Sequence, residues 1–401
     1  MKTLLLPWST GIALAFWILL PKSGFATNSN PGDSTAHWIQ PWIRHMETDF
    51  QSLENEYTDL TRPLQNRLQD IKAELANPCT RSAEEGFHLL WERMQLDDAL
   101  AQFEEEHDLR KIKLRYRKGV EIIKMLYEKI LSMDHHFSSL KAQQEMQKIS
   151  NPHNYPEFKE ARTIIEDKMK KKFGFTPPAI FQANPYLSAA FSIVGLVIGG
   201  GEDKDKKADV EKIACIMDFT VRIHADMNVI FYETGYLREA NMTLKRDCEA
   251  LFTECARQVG YTIPLENCRN SDDWERLYAL LDQMVGKSLG ELNNATGMQT
   301  QPDPKLQSRT ETNLQFAIDR TLQFINRYTD FVNQGNEYYK KFNKITANYE
   351  NEKSCSEILP DQFKQLKTDI DQTLDKFNSA YRMPEVQGSK LKDMLYGGVE
   401  N

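Results

Sequence analysis

Six cysteines are the residues of this chain best suited to chemistry, and the chemistry is disulfide formation. They are Cys79, Cys215, Cys248, Cys255, Cys268 and Cys355. No two are spaced as CxxC, which argues against a zinc site and against a thioredoxin-like redox motif. An even number of cysteines in an exported chain is typical of disulfide pairing.

The spacing of the cysteines narrows the possible pairs. Cys248 and Cys255 are seven residues apart on one predicted helix, so about 10 Å separates them, too far for a bond. Cys268 follows the predicted end of that helix and can fold back, which predicts a Cys255–Cys268 disulfide. Cys79 and Cys355 each end a long helix and form a weaker candidate pair. Cys215, in an apolar stretch, is predicted to be a buried free thiol.

Other side chains give little indication of catalysis or metal binding. His135 and His136 are adjacent on a predicted helix and point about 100° apart, so they are poorly placed to share one ion. The helical pattern places both at a solvated edge. The chain has no GxSxG, no HExxH and no phosphate-binding glycine loop. The sequence therefore predicts a non-enzymatic protein with no cofactor, no metal and no small-molecule substrate.

The N-terminus has the pattern of a secretory signal peptide over residues 1–26. Lys2 provides the positive end, Leu4 to Leu20 is apolar, and Gly24 and Ala26 are the small residues before a cleavage point. The alternative is an uncleaved anchor helix. Cleavage predicts an exported protein, periplasmic or secreted, that begins with a disordered linker over residues 27–36.

The net charge of the chain limits the class of partner that it can bind. The chain of 401 residues has a formal net charge of −8, with 27% of its residues charged. A nucleic-acid partner requires a basic surface, so that class is excluded. Protein partners remain, and we expect them to bind through helical faces.

The spacing of apolar residues predicts an all-α protein. Steps alternating three and four residues are the heptad signature of helices packed side by side, and they recur in an N-terminal region (37–176), a central hairpin (208–299) and a C-terminal region (300–385). A tail follows at 386–401. Thr234 and Asn241 interrupt the central seam, either as register devices or facing a wetter part of the bundle. We therefore predict an elongated helical bundle or coiled coil of long antiparallel helices.

Residues 177–207 form an apolar, glycine-rich segment in this otherwise charged chain. It is open to three interpretations: a tightly packed core hairpin, a surface that contacts lipid, or a docking surface for a protein. Its apolar side chains are the candidate contacts, namely Tyr186, Phe191, Ile193, Val194, Leu196, Val197 and Ile198.

Two functions follow from this pattern. The first is an exported non-enzymatic protein that acts in interaction or assembly at the cell envelope. The second is a membrane-active protein that inserts residues 186–201, a layout similar to that of helical pore-forming toxins.

Overall fold

The computed structural model describes residues 35–76, 82–138, 148, 204–290, 303–349, 359–383 and 385–396. Within these ranges the protein is all-α, as predicted, and contains no strand. Eight helices are described: α1 (Thr35–Leu75), α2 (Ala83–Ser138), α3 (Lys204–Gln258), α4 (Leu265–Ser271), α5 (Trp274–Ser288), α6 (Pro304–Ala347), α7 (Leu359–Tyr381) and α8 (Glu385–Tyr396).

The predicted heptad seams are the buried faces of the three longest core helices. In α2 the seam runs from Leu109 to Phe137, in α3 from Ile223 to Cys255, and in α6 from Leu314 to Phe342. Their side chains meet in one hydrophobic core, to which α5, α7 and α8 also contribute. Burial of these stripes is the main source of helix stability, since isolated helices are marginal in water.

Hydrogen bonds between helices fix their directions. The Asn241 amide nitrogen donates to the carbonyl of Ile130 at 3.2 Å. The Tyr116 hydroxyl donates to the carbonyl of Cys255 at 2.8 Å. Tyr116 lies fourteen residues before Ile130 in α2, and Cys255 lies fourteen residues after Asn241 in α3. Helices α2 and α3 are therefore antiparallel and stay in register over this length. Helices α3 and α6 are also antiparallel. Thr234 contacts Tyr338, and further along α3 Glu254 contacts Arg320, which lies earlier in α6.

The polar residues in the α3 seam bond to the neighbouring helices. Asn241 is 2% exposed, and the Thr234 hydroxyl, also buried, lies 2.8 Å from the Tyr338 hydroxyl of α6. Because a buried amide or hydroxyl requires a matched partner, these two contacts favour a single register of α3 against α2 and α6. Both side chains are buried within the bundle rather than exposed at its surface.

Two glycines have different structural roles: Gly335 allows two helices to pack closely, and Gly260 ends a helix. Glycine weakens a helix interior, so the sequence predicts a bend or break at Gly335, but α6 continues through it. A Cβ at Gly335 would lie 2.5 Å from Cζ of Phe377, so the missing side chain lets α7 approach α6 closely. Gly260 ends α3 in the left-handed conformation (φ 82°), with the amide of Tyr261 donating to the carbonyl of Ala256 at 2.9 Å.

The segment after Gly260 differs from the prediction. In the sequence, Gly260, Pro264 and the capping residue Ser271 predict a loop over residues 260–270 and a helix that begins at Ser271. Instead α4 ends at Ser271, Asp272 is left-handed (φ 52°), and α5 begins at Trp274. Buried Leu265 and Cys268 explain α4, because together they attach the turn to the core.

Other boundaries also shift. The polar, proline-containing stretch from Thr300 to Ser308 predicts a linker. Instead the chain is helical from Pro304, because the Asp303 carboxylate accepts from the backbone amide of Lys305 at 3.0 Å and caps α6. The tail predicted at 386–401 overlaps α8, whose Leu391, Met394 and Leu395 are buried. Helix α1 begins at Thr35, inside the predicted linker of residues 27–36.

No helix among the described segments is both long enough and apolar enough to cross a membrane.

Candidate interaction surface

Helices α1 and α2 form an antiparallel hairpin. Ser82 and Glu85, three residues apart, have the sequence pattern of a capping box, and the structure confirms it at the start of α2. The Ser82 hydroxyl accepts from the amide of Glu85 (3.3 Å), and the Glu85 carboxylate accepts from the amide of Ser82 (3.0 Å). Towards the other end of the hairpin, the buried His107 ring lies 3.1 Å from a Glu54 carboxylate oxygen and stacks on Tyr57.

The distal part of the hairpin, hereafter the hairpin tip (residues 60–75 and 83–101), is held mainly by contacts between its own two helices. Leu68 and Ile71 of α1 and Leu89 of α2 are buried there. The Arg67 guanidinium donates two hydrogen bonds to the Glu92 carboxylate, at 2.7 and 2.8 Å. Such paired bonds fix the relative position of two helices better than single contacts do.

Four large apolar side chains on α2 face away from α1 at the hairpin tip. We call them the apolar stripe: Phe87 (72% exposed), Leu90 (54%), Trp91 (49%) and Met94 (58%). Their spacing of i, i+3, i+4 and i+7 places them on one side of the helix. Leu89, on the opposite side, is the residue buried against α1. Single exposed apolar residues are ordinary, whereas four grouped on one helix face mark a contact surface.

The apolar stripe is surrounded by negative charge. Residues 83–108 contain nine carboxylate side chains and one arginine or lysine, Arg93. Along α2, Glu84 precedes the stripe, and Asp97 and Asp98 follow it; Glu92, within its sequence range, is paired with Arg67 of α1. Arg93 pairs with Asp97 at 3.5 Å.

A groove of about 660 Å³ lies between α1, α2 and α5, and its cations are already paired. Lys118 contacts Asp49 (3.0 Å), Lys113 contacts Asp282 (2.7 Å), and the guanidinium of Arg117 lies over the ring of Tyr278. These contacts join α1 and α5 to α2. We therefore assign the groove a structural role.

His136 does not lie at a solvated edge, as the sequence suggested. Its Nε2 is 2.5 Å from the Tyr339 hydroxyl, and its ring contacts Phe137, Phe377 and Tyr381. Burial lowers the pKa of His136 from 6.5 to about 4, because the charged form would lose hydration. Only the backbone of His135 is described. Within the described part of the chain, no group of three or more His, Cys, Asp or Glu residues is placed to hold a metal ion.

This burial predicts acid sensitivity. The unfolded chain binds a proton near pH 6.5, while the folded chain resists it down to about pH 4, so stability falls as the pH drops through this window. Between pH 7.5 and pH 5 we expect His136 to lower the free energy of unfolding by about 2 kcal/mol. Urea denaturation of the native protein and of His136→Gln at both pH values measures this. Equal pH dependence in the two proteins would show that His136 is accessible to protons.

The predicted Cys255–Cys268 disulfide is absent. Both cysteines are buried free thiols, as is Cys248. The Cys255 thiol donates to the carbonyl of Ala317 in α6 at 3.7 Å, because the seam directs it towards α6 rather than towards α4. Burial raises the pKa of Cys255 to about 12 and also raises the pKa values of Cys248 and Cys268.

These thiols are expected to be inert in the folded protein, since the thiolate is the reactive form. Iodoacetamide at pH 8 should leave Cys248, Cys255 and Cys268 unmodified in native protein and alkylate all three in denaturant. Peptide mapping by mass spectrometry gives the result. Rapid labelling of the native protein, or a linked Cys255–Cys268 peptide, would contradict the arrangement.

Several predicted residues lie outside the described ranges. These are Cys79 and Cys355, the candidate pair, and the apolar contacts Tyr186, Phe191, Ile193, Val194, Leu196, Val197 and Ile198. The signal peptide over residues 1–26 also lies outside. For Cys215 the structure describes the helix, α3, but not the side chain. The interpretations given for these residues stay predictions.

Sequence reasoning missed the apolar stripe. The signal was present in GFHLLWERM (residues 86–94), where Phe87, Leu90, Trp91 and Met94 share a helix face. Leu89 and Leu96 lie on the other side of the same helix, so the segment reads as apolar all round. Which side is buried depends on where α1 packs, and the sequence of α2 alone does not show this.

In comparisons with known proteins, the chain matches no protein-family model, no curated protein and no solved structure.

Proposed function

We propose that this chain is an exported, non-enzymatic helical protein that binds a protein partner at the cell envelope through the apolar stripe of its hairpin tip. The observation that carries the proposal is the grouping of Phe87, Leu90, Trp91 and Met94 on one exposed helix face. Aromatic residues and methionine are enriched in protein interfaces, and a few residues, often tryptophan, tyrosine or arginine, supply most of the binding energy. Export is supported by the signal-peptide pattern of residues 1–26.

The structure of the hairpin supports a binding role. A contact surface works best when its side chains are already positioned, because ordering them on binding costs free energy. The capping box at Ser82 and the Arg67–Glu92 pair hold this part of α2 in helical form next to α1. The heptad seams further support an elongated, coiled-coil arrangement of the long helices, which would carry the tip away from the core of the bundle.

Site-specific photo-crosslinking in the producing cells tests the proposal. A photoreactive amino acid is introduced at Leu90, and the matched control carries it at Phe316, which is 47% exposed on α6. We expect a discrete adduct with one protein from position 90, no such adduct from position 316, and loss of the adduct when Trp91→Ser is added. Identical adduct patterns from both positions, or none at position 90, would contradict the proposal.

A further inference from the structure

We infer that the partner segment is a basic amphipathic helix, with lysine or arginine at both ends of an apolar stripe, that packs along α2 from Glu84 to Glu105. This inference rests on the proposed function and adds to it the chemistry of the partner.

The surface has the periodicity of a helix-packing seam. Phe87, Trp91 and Met94 follow steps of four and three residues, with Leu90 beside them. The same steps continue to Asp98, Ala101 and Glu105, all of which are exposed. A face with this alternation accepts side chains from a second helix in its holes. From Phe87 to Glu105 it is about 27 Å long, which matches a partner helix of about 18 residues.

The carboxylates before and after the apolar stripe determine which charge a partner helix should have at its ends. Glu84 lies before the apolar stripe, and Asp97 and Asp98 lie after it. A partner helix that covers the stripe must bring its own flanking residues close to these carboxylates at both ends. Lysine or arginine there would form ion pairs and increase the association rate, whereas carboxylates would repel.

The same charges disfavour a second copy of this chain. If two stripes pack antiparallel, Glu84 of one copy faces Asp97 and Asp98 of the other. If they pack parallel, each carboxylate faces its own counterpart. Both arrangements place like charges together, which is destabilising. An anionic lipid surface is disfavoured for the same reason, because it would repel the nine carboxylates of residues 83–108.

Two synthetic helical peptides probe the inference. Both have about 20 residues and the same leucine stripe in heptad spacing, and their flanking positions are lysine in one and glutamate in the other. Binding to the purified protein is measured by fluorescence anisotropy of the labelled peptide. We expect the lysine peptide to bind at least about tenfold more tightly than the glutamate peptide, and its affinity to fall as salt is raised.

Matched variants locate the binding. Trp91→Ser should weaken the lysine peptide about tenfold or more, since a central aromatic residue supplies much of the binding energy. The double variant D98K/E105K should shift the preference towards the glutamate peptide. Phe316→Ser should leave both affinities unchanged. All four positions are exposed, so these variants are expected to fold, and circular dichroism verifies this.

The other outcomes separate this inference from the proposed function. Equal binding of both peptides, or binding of neither while position 90 still crosslinks in cells, would overturn the basic-helix inference and leave the proposed function standing. Trp91-dependent binding to phosphatidylglycerol vesicles would favour a membrane contact instead. Dimerisation in sedimentation experiments that Trp91→Ser abolishes would favour a second copy. Either result overturns the inference.

Discussion

Replacing Ile230 with aspartate is expected to unfold the protein or to lower its free energy of unfolding by about 4 kcal/mol or more. Ile230 is 1% exposed and lies in the seam of α3. A carboxylate there would lose its hydration without gaining a cation or a hydrogen-bond donor, and the folded state would have to protonate it or open. Since domains are stable by only about 5 to 15 kcal/mol, the loss is a large fraction of the total. Thermal and urea denaturation followed by circular dichroism measure it.

The neighbouring residue provides the control. Val229 is also β-branched and is 40% exposed, so Val229→Asp keeps its charge in water. We expect it to change the free energy of unfolding by about 0.5 kcal/mol or less. Similar melting temperatures for the two variants would mean that the buried face of α3 is assigned incorrectly.

Replacing Gly335 with alanine is expected to destabilise the protein by about 1 to 3 kcal/mol, although alanine is the better helix former. The new Cβ would lie 2.5 Å from Cζ and 3.0 Å from Cε1 of Phe377. The Phe377 ring has little room to move, because it is fully buried among His136, Tyr339 and Tyr381. Either the ring or α7 must shift, and both lose packing contacts.

Gly235 in α3 is the matched glycine. A Cβ there meets nothing within 4 Å, so Gly235→Ala should stabilise the protein by about 0.5 to 1 kcal/mol through helix propensity alone. The two substitutions are chemically identical and should move the melting temperature in opposite directions. A stabilising Gly335→Ala would show that α6 and α7 are not in close contact at this point.

The seams were predictable from the sequence because they depend on a repeating local pattern. From Ile223 to Cys255 every described residue of the predicted α3 seam is buried, including polar Thr234 and Asn241. The alternation of three and four residues holds whatever the partner helix is. The pattern does not say which helices meet, so the partners of Thr234 and Asn241 needed the structure.

The errors have physical causes of two kinds. Some are short elements whose stability comes from tertiary contacts: α4 has seven residues, and its Leu265 and Cys268 are buried in the core. Propensity carries little information in so short a segment. The other kind concerns direction. The sequence places Cys255 and Cys268 close along the chain, but the Cys255 thiol points to Ala317 of α6, and no local pattern reveals that.

Recognising the apolar stripe as a candidate surface requires both the sequence and the structure. The spacing of Phe87, Leu90, Trp91 and Met94 is visible in the sequence, and so are the carboxylates around them. Their exposure is not, because Leu89 and Leu96 of the same helix could equally have marked the outer side. The position of α1 decides the matter.

Methionine oxidation reports whether the apolar stripe is covered in the cell, as binding of a partner there requires. Met94 on the stripe and Met242 on α3 have similar exposures, 58% and 52%. In purified protein, dilute hydrogen peroxide should oxidise both at similar rates. In intact producing cells, we expect Met94 to be oxidised several-fold more slowly relative to Met242, and Trp91→Ser to remove this protection. The same ratio of the two rates in cells and in purified protein would show that no partner covers the stripe.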